Sequence, residues 1–334
     1  MTSRAAGAYQ RRTRAVAAAT SRSAASAFGS VDPQRVAPSW TARLPETIAT
    51  VAAAQYAAAA LATPYVTEIA REPRAGTVNP SAFAGVASDG RPLSSLLFQP
   101  ALVVMAALAT GAAPALALAG GLALLDMIVR TQIADAARLA TGVAIAAQPA
   151  IAGHERVVRL PACPRCIVLA GRLYRWSEGF RRHPRCDCTM QPVTSEQWRR
   201  RNLDNHPRAL FDRMSRAEQD KRFGQAGAKA IRDGADIPQL VNARRGMRTA
   251  SVGGRQVLAT TTGTTRRGVA GQRLSERFGT AVVSEFERTR RTGGTERVRL
   301  RGSRAPRLMP ETIYQVAEDR DHAVRLLRLH GYIL

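Results

Sequence analysis

The chain has 334 residues, of which 45% are hydrophobic and only 5% aromatic, and it carries a formal net charge of +24. This length allows one large or two to three small domains, and the composition excludes collagen-like, disulfide-scaffold and wholly disordered proteins. Residues 1–150 hold 12 basic and 7 acidic side chains (net +5), whereas residues 151–334 hold 37 and 18 (net +19). Such an excess of arginine predicts a polyanionic partner, most simply nucleic acid.

Residues 1–40 are predicted to form a mobile basic arm. Five arginines stand among alanine and serine before the first acidic residue, Asp32. This pattern resembles a transit peptide or a twin-arginine leader, but the apolar run that a leader needs is missing.

Residues 41–150 are predicted to form an alanine-rich helical domain. A helix is expected over 45–71 with an interruption at Pro64, followed by a connection over 72–92. Residues 92–125 carry no charge, and by length they could span a membrane. The break at 111–114, the many alanines and the lack of Trp or Tyr at either end favour two short buried helices and no membrane contact. A longer helix is expected from 121 to about 148, where apolar residues recur at spacings of three and four.

Residues 151–193 contain all four cysteines and are predicted to form a small β-hairpin module, with strands near 167–169 and 173–176 around a turn at Gly171. Zinc takes four soft ligands in a tetrahedron, and a Cys-x2-Cys pair lets two sulfurs bind one ion from a tight turn. The sequence predicts a structural zinc site resembling a zinc ribbon, in which Cys186 and either His183 or Cys188 complete the ligand set. Five candidate ligands fall within 26 residues: Cys163, Cys166, His183, Cys186 and Cys188.

Three other interpretations of these cysteines stay open at this point. They are compatible with plain reduced thiols. They are compatible with two disulfides, although no secretory signal indicates an oxidising compartment. Cys163 and Cys166 are also compatible with a redox pair, although no thioredoxin-like βαβ pattern surrounds them.

Residues 194–334 are predicted to be a basic, helical and Gly/Thr-rich region. Capping boxes are expected at Thr194 and Ser215, a helix start at Asp236, and a last amphipathic element over 310–330 that divides near Asp319. Residues 251–305 are expected to be part strand, for example over 255–260, and part disordered. The candidate nucleic-acid contacts are the local arginine runs Arg199, Arg200, Arg201, Arg244, Arg245, Arg266 and Arg267, with Arg290 and Arg291 as a further run. The whole pattern predicts a mainly α protein with a small β-hairpin, zinc-ribbon-like module, an α+β fold.

One motif carries a resemblance to a known family. The order is a cysteine pair, a Leu-x-Gly turn and a closing His-Pro-x-Cys-x-Cys. It reads Cys163-Pro-Arg-Cys166-Ile-Val-Leu-Ala-Gly171, then Trp176, Gly179-Phe180 and His183-Pro184-Arg185-Cys186-Asp187-Cys188. This motif resembles the phage Mu F-type minor head protein family, especially its versions in tailed phages of actinobacteria. Weaker likeness extends over roughly residues 120–334.

The resemblance implies a minor capsid, or head morphogenesis, protein, and because the sequence shows no recognisable catalytic motif, no enzymatic activity is expected. It implies a structural component inside the head near the portal, in contact with portal, coat or scaffold protein and with phage DNA. The expected location is the virion, after assembly in the bacterial host cytoplasm. Similar proteins are often labelled capsid maturation proteases, but the sequence contains neither Gly-x-Ser-x-Gly nor His-Glu-x-x-His. A capsid maturation protease and a zinc-ribbon DNA-binding protein are the alternative functions.

Overall fold

The computed structural model describes residues 4–71, 76–186, 188–200, 205–289 and 293–334. Its fold is mainly helical with small antiparallel sheets, an α+β fold as predicted. The helices are α1 Arg4–Gly29, α2 Val36–Ala60, α3 Ala62–Ala70, α4 Leu93–Ala109, α5 Pro114–Ala146, α6 Pro164–Val168, α7 Ser195–Arg200, α8 Pro207–Asp212, α9 Arg216–Phe223, α10 Gln225–Arg232, α11 Ile237–Ala243, α12 Val269–Phe278, α13 Pro310–Val316 and α14 Arg320–Leu329. The strands are β1 Ile151–Val157, β2 Leu173–Arg175, β3 Thr189–Thr194, β4 Met247–Val252, β5 Arg255–Thr260, β6 Thr280–Thr289, β7 Thr295–Ser303 and β8 Arg307–Leu308.

The chain folds into two compact units whose limits differ from the predicted boundaries near 40, 150 and 193. The first unit comprises Met1–Leu160 and Leu169–His206, and the second comprises Pro161–Val168 and Pro207–Leu334. The predicted arm and the predicted helical domain therefore belong to one unit.

In the first unit, α5 is the central helix and packs against α1, α2, α3 and α4. Trp40 of α2 is fully buried, and its indole N–H donates to the Leu97 carbonyl of α4 at 2.9 Å. Phe28 meets the Trp40 ring edge-on, with 4.8 Å between ring centres. Gly121 of α5 allows this close packing, because a Cβ there would lie 2.6 Å from the Val104 side chain. A few large rings thus fill a core that is otherwise built from small side chains.

The prediction of a mobile arm over residues 1–40 is wrong, because Arg4–Gly29 forms α1 and is part of this core. Its buried face includes Ala6, Tyr9 and Ala17, while most of its arginines are exposed. The Tyr9 hydroxyl donates to the Ala137 carbonyl of α5 at 3.0 Å. Alanine at helical spacing suits a closely packed helix interface, although its low hydropathy makes such a segment look like a linker in the sequence.

The uncharged stretch 92–125 breaks into two helical pieces as predicted, with Gly111 at φ +84° between them. The second piece is not short, since it continues into the 33-residue helix α5. Nor are both pieces fully buried, because Leu102, Val103 and Leu116 are exposed, Leu116 by 70%. Among the described residues, α5 alone is long and apolar enough to cross a membrane, a property that buried core helices share.

A three-stranded antiparallel sheet of order β2-β1-β3 completes the first unit. The predicted strand pair around Gly171 is only half correct. Residues 173–175 form β2, but Ile167 belongs to α6, because Pro164 at the first helical position favours a helical turn there. β2 pairs instead with β1, with Gly153 opposite Arg175. Gly171 has φ +74°, as a turn glycine requires.

The helix caps predicted from local sequence are confirmed. The Thr194 hydroxyl accepts from the Gln197 amide at 3.3 Å, and the Gln197 side chain accepts from the Thr194 amide at 2.9 Å. Ser215 forms its capping box with Glu218, and the Asp236 side chain caps α11. These motifs are confirmed because every partner lies within three residues of the cap.

The second unit packs helices around a three-stranded antiparallel sheet of order β4-β5-β8. The predicted strand over 255–260 is β5, and the last element divides into α13 and α14, with Asp319 capping α14. The expectation of partial disorder over 251–305 is wrong for the residues described there, most of which lie in strands or in α12. The longest element of this part is the two-stranded hairpin β6–β7.

A buried guanidinium holds the last residues of the second unit. Arg307 is 1% exposed, and its N–H groups donate to the carbonyls of His330 at 2.8 Å, Thr262 at 2.9 Å and Gly331 at 3.2 Å. The Tyr332 ring centre lies 4.4 Å from the guanidinium carbon. Since Arg307 makes no ion pair within the described residues, these carbonyl oxygens and the ring supply its electrostatic partners.

Candidate metal centre

The first two candidate ligands stand at the start of a single helical turn. Cys163 directly precedes α6, and Cys166 lies within it. The Cys166 amide donates to the Cys163 sulfur at 3.4 Å, and the Ile167 amide donates to the Cys163 carbonyl at 3.0 Å. A backbone N–H aimed at a cysteine sulfur favours the thiolate, which is the form that binds metal.

The other three candidate ligands lie on the loop that leads from β2 to β3. The Cys186 amide donates to the His183 carbonyl at 3.1 Å, and Arg185 within this turn has φ +61°, which is uncommon for a residue with a side chain. The Arg185 amide donates to Thr131 Oγ1 at 2.9 Å, and its guanidinium pairs with Asp126 at 3.2 Å. Contacts with α5 therefore fix the turn.

The donor atoms of all five residues come together. Those of Cys163, Cys166 and His183 lie within 4.8 Å of one another, and so do those of Cys166, Cys186 and Cys188. A tetrahedral zinc ion with Zn–S bonds of about 2.3 Å holds its sulfurs about 3.8 Å apart. None of the four cysteines is joined in a disulfide, which does not agree with the two-disulfide interpretation, and three of them are buried. The cluster therefore has the donor types and the spacing to bind a metal such as zinc.

One hydrogen bond determines the tautomer of the neutral His183 ring. Its Nδ1 lies 2.7 Å from the Pro184 carbonyl oxygen. Because a carbonyl only accepts hydrogen bonds, Nδ1 carries the proton, and the neutral ring keeps its lone pair on Nε2. The structure thus brings both His183 and Cys188 to the cluster, and both alternatives for the fourth ligand stand.

Arg156 of β1 is the closest support for the sulfurs. It is 1% exposed, and its Nη2 lies 3.7 Å from the Cys186 sulfur and 3.6 Å from the Cys188 sulfur. Its guanidinium carbon also lies 4.3 Å from the centre of the Phe180 ring. A cation at this position offsets part of the negative charge of a thiolate site, which is costly to bury uncompensated.

Arg138 of α5 supports the same loop through its backbone. It is 7% exposed and donates to the carbonyls of Cys186 at 2.9 Å and Cys188 at 3.2 Å. Asp135, one helical turn earlier, accepts from Arg138 at 2.5 Å and also pairs with Arg182. The buried ion pair thus orients the two cysteines through their main chain.

Sequence reasoning missed both supporting arginines. The spacing of three between Asp135 and Arg138 is visible in the sequence, but that pattern is typical of any exposed helix face. Nothing local marks Arg156, whose partners are 30 and 32 residues away. By contrast, Asp126 and Arg130 lie four residues apart on α5, and they do form an ion pair, at 2.5 Å.

Two histidines outside the cluster are buried. His154 is 1% exposed and stacks on Tyr174, with 5.3 Å between ring centres. His330 is 4% exposed, and its Nδ1 accepts from the Leu308 amide at 3.1 Å. Burial lowers the pKa of each ring to about 4, so both are neutral near pH 7.

The candidate nucleic-acid arginines fall into different environments. Arg244 is not a free surface cation, because it donates to the Phe223 carbonyl and to Glu311, each at 2.7 Å, and holds the fold. Arg200 is exposed and pairs with Glu196 at 2.6 Å on α7. Arg201, Arg290 and Arg291 lie outside the described residues. The remaining candidates are exposed: Arg199, Arg245, Arg266 and Arg267.

Comparison of the chain with protein-family models, with curated proteins and with solved structures finds no match.

Proposed function

We propose that this chain is a minor head protein of a tailed phage, a structural component of the head interior near the portal. In this proposal it is made in the bacterial cytoplasm, joins the head during assembly and stays in the virion. It contacts portal, coat or scaffold protein on one side and packaged DNA on the other. No catalytic role is proposed.

The observation that carries the proposal is the cysteine–histidine cluster. The motif that resembles the phage family, from Cys163 to Cys188, is also the segment whose donor atoms converge in space. Five side-chain donors are available for the four positions of a zinc ion, and Cys166, Cys186 and Cys188 are buried. A closed set of four ligands without an open position is typical of structural zinc rather than catalytic zinc. Bound zinc would supply folding free energy to a module with few large apolar side chains.

Exposed arginines support the DNA part of the proposal. Arg245, Arg266 and Arg267 face solvent in the second unit, and residues 151–334 carry the net charge of +19. Lys and Arg side chains that neutralise phosphates release counterions, so such binding has little sequence preference and weakens steeply with salt.

Exposed apolar side chains on α4 and in the first turn of α5 support contact with another protein. Leu102, Val103 and Leu116 are exposed in a stretch without any charge. Exposed apolar side chains without neighbouring charge in the sequence are compatible with a protein–protein contact surface. A capsid or portal subunit is the partner that the proposed location requires.

The test is to look for the protein in purified particles. Mature particles and empty heads of the parent phage are separated on a density gradient, and peptides of this chain are quantified against coat protein. The proposal predicts a few copies per particle in both fractions. It also predicts that Cys166→Ser reduces incorporation while coat protein is processed normally. Absence of the chain from both fractions would overturn the proposal, and unprocessed coat protein would favour the maturation protease.

A further inference from the structure

The second unit has an open groove of about 570 Å³ beside its sheet. One wall consists of β4 and the end of β5, and the other consists of the base of the hairpin β6–β7. Residues 264–265 and 303–306 complete the lining. The groove shares no lining residue with the cysteine cluster.

Hydroxyl groups dominate the polar lining of this groove, where seven of the residues are serine or threonine. One of them, Thr260, serves the fold by donating to the Ala243 carbonyl at 2.5 Å. The hydroxyls of Ser251, Thr265 and Ser284 make no hydrogen bond within the described part of the chain. They are therefore available as donors to a ligand in the groove.

The charge of the lining is positive only. Arg248 and Arg304 are exposed at the groove, and the described residues that line it include no carboxylate. Arg304 Nε donates to the Thr280 carbonyl at 3.1 Å, which places its guanidinium at the rim. Arg248 makes no ion pair within the described residues. Arginine forks and hydroxyls without a neighbouring carboxylate suit a phosphate group.

An apolar face of the hairpin adjoins the groove. Ser284 lies opposite Leu300, and Phe286 lies opposite Val298. Opposite residues of an antiparallel pair point to the same face, so these four side chains share one face. Phe286 is 45% exposed and Leu300 37%. Single-stranded nucleic acids bind where their bases stack on exposed aromatic side chains and their phosphate backbone lies along a positively charged groove.

We propose that this groove binds a single strand of nucleic acid. Arg248 and Arg304 contact phosphates, the free hydroxyls donate to backbone oxygens, and a base stacks on Phe286. A duplex keeps its bases stacked inside, so it cannot use Phe286 in this way. The inference goes beyond the contact with packaged DNA in the proposed function, because it assigns a separate surface and a single-stranded form of nucleic acid.

The test measures binding of a short labelled single-stranded oligonucleotide to the full chain by fluorescence anisotropy. The double variant Arg248→Gln/Arg304→Gln is expected to bind about tenfold more weakly at low salt. The slope of log K against log salt concentration is expected to become less negative by about 1.4, since each phosphate contact on a single strand contributes about −0.7 to this slope. Phe286→Ala is expected to weaken binding about tenfold without changing the salt dependence.

The matched control is Arg213→Gln/Arg216→Gln. These two arginines are exposed in the same unit and make no ion pair within the described residues. Their replacement removes the same total charge as the groove variant. The proposal predicts binding close to that of the unmodified chain. Equal weakening by both double variants would overturn it, because binding would then follow total charge rather than the groove. Thr265→Ala/Ser284→Ala, which keeps every charge, gives a second test and is expected to weaken binding about threefold.

Two competitors decide the class of ligand. The matching duplex is expected to compete more weakly than the single strand, and equal or stronger competition would overturn the single-strand assignment. Polyglutamate is expected to compete poorly, and strong competition would assign the groove to an acidic protein instead. The groove variants keep the cysteine cluster, so their zinc content and incorporation into particles test the proposed function separately. If a groove variant loses oligonucleotide binding but is incorporated normally, the single-strand site is supported, and the proposed role as a head protein is unaffected.

Discussion

Replacing Arg156 probes the cluster through a residue that is not itself a ligand. Its guanidinium touches the sulfurs of both Cys186 and Cys188, at 3.7 and 3.6 Å. Three thiolates around zinc leave a net charge of −1, and four leave −2. A buried cation in contact with two of those sulfurs therefore stabilises the metal-bound state more than the metal-free thiols.

The expected magnitude follows from this contact. Removing a partner of metal ligands typically lowers metal affinity 10- to 100-fold, which is about 1.4 to 2.7 kcal/mol. We expect Arg156→Gln to fall in this range, because it removes both the charge and the two N–H groups. Arg156→Lys keeps the charge but loses the planar fork, so its loss of affinity should be smaller.

The assay is competition for zinc against a chromophoric chelator, under reducing conditions and at fixed pH. Arg175→Gln on β2 is the control, since Arg175 is exposed and its side chain makes no hydrogen bond or ion pair within the described residues. Arg156 also stacks on Phe180, so circular dichroism with excess zinc must show that each variant is folded. A folded Arg156→Gln protein with zinc affinity within about twofold of the unmodified chain would refute the reasoning.

Three further predictions follow. His183→Asn and Cys188→Ser are expected to differ in zinc affinity, because only one of them removes a ligand; equal, small losses would contradict a four-ligand site. The pKa of His330 is about 4 in the fold and about 6.5 unfolded, so the contribution of His330 to folding stability should be complete above pH 6.5 and fall by about 3 kcal/mol towards pH 4. His330→Asn keeps an acceptor for Leu308 and should flatten this decline in urea unfolding; an unchanged decline would contradict the assignment. Arg307→Met should lower the free energy of unfolding by about 3 kcal/mol, because three backbone carbonyls lose their donor. Arg325 is exposed, so Arg325→Met should change the free energy of unfolding little. Equal effects of the two substitutions would contradict a stabilising role for the buried Arg307.

Features set by neighbouring residues could be predicted from the sequence. The capping boxes at Thr194 and Ser215 and the strand Arg255–Thr260 appear where expected. The five candidate metal ligands also meet in space, because their spacing already implies two short ligand pairs connected by a loop. In each case the partners lie close together in the sequence or carry a chemistry that few other residues share.

Features set by distant contacts could not be predicted. Tyr9 lies in a segment whose sequence is typical of a basic arm, but its hydroxyl donates to the carbonyl of Ala137, 128 residues away. Ile167 has a strand-like sequence but follows Pro164 in a helical turn, and the strand partner of β2 lies before the cysteines rather than after them. Arg244 resembles a surface cation, whereas its partner Glu311 is 67 residues further along. Burial and pairing over such separations depend on tertiary packing, which local patterns do not specify.

The central claim is that the cysteine–histidine cluster holds one structural zinc ion. The most direct test is the metal content of the full chain, purified under reducing conditions and measured by mass spectrometry against protein concentration. The account predicts about one zinc per chain, with loss of both zinc and thermal stability in Cys166→Ser and on treatment with a strong chelator. A well-folded chain with less than about half an equivalent of zinc, whose unfolding temperature does not respond to added zinc, would contradict it.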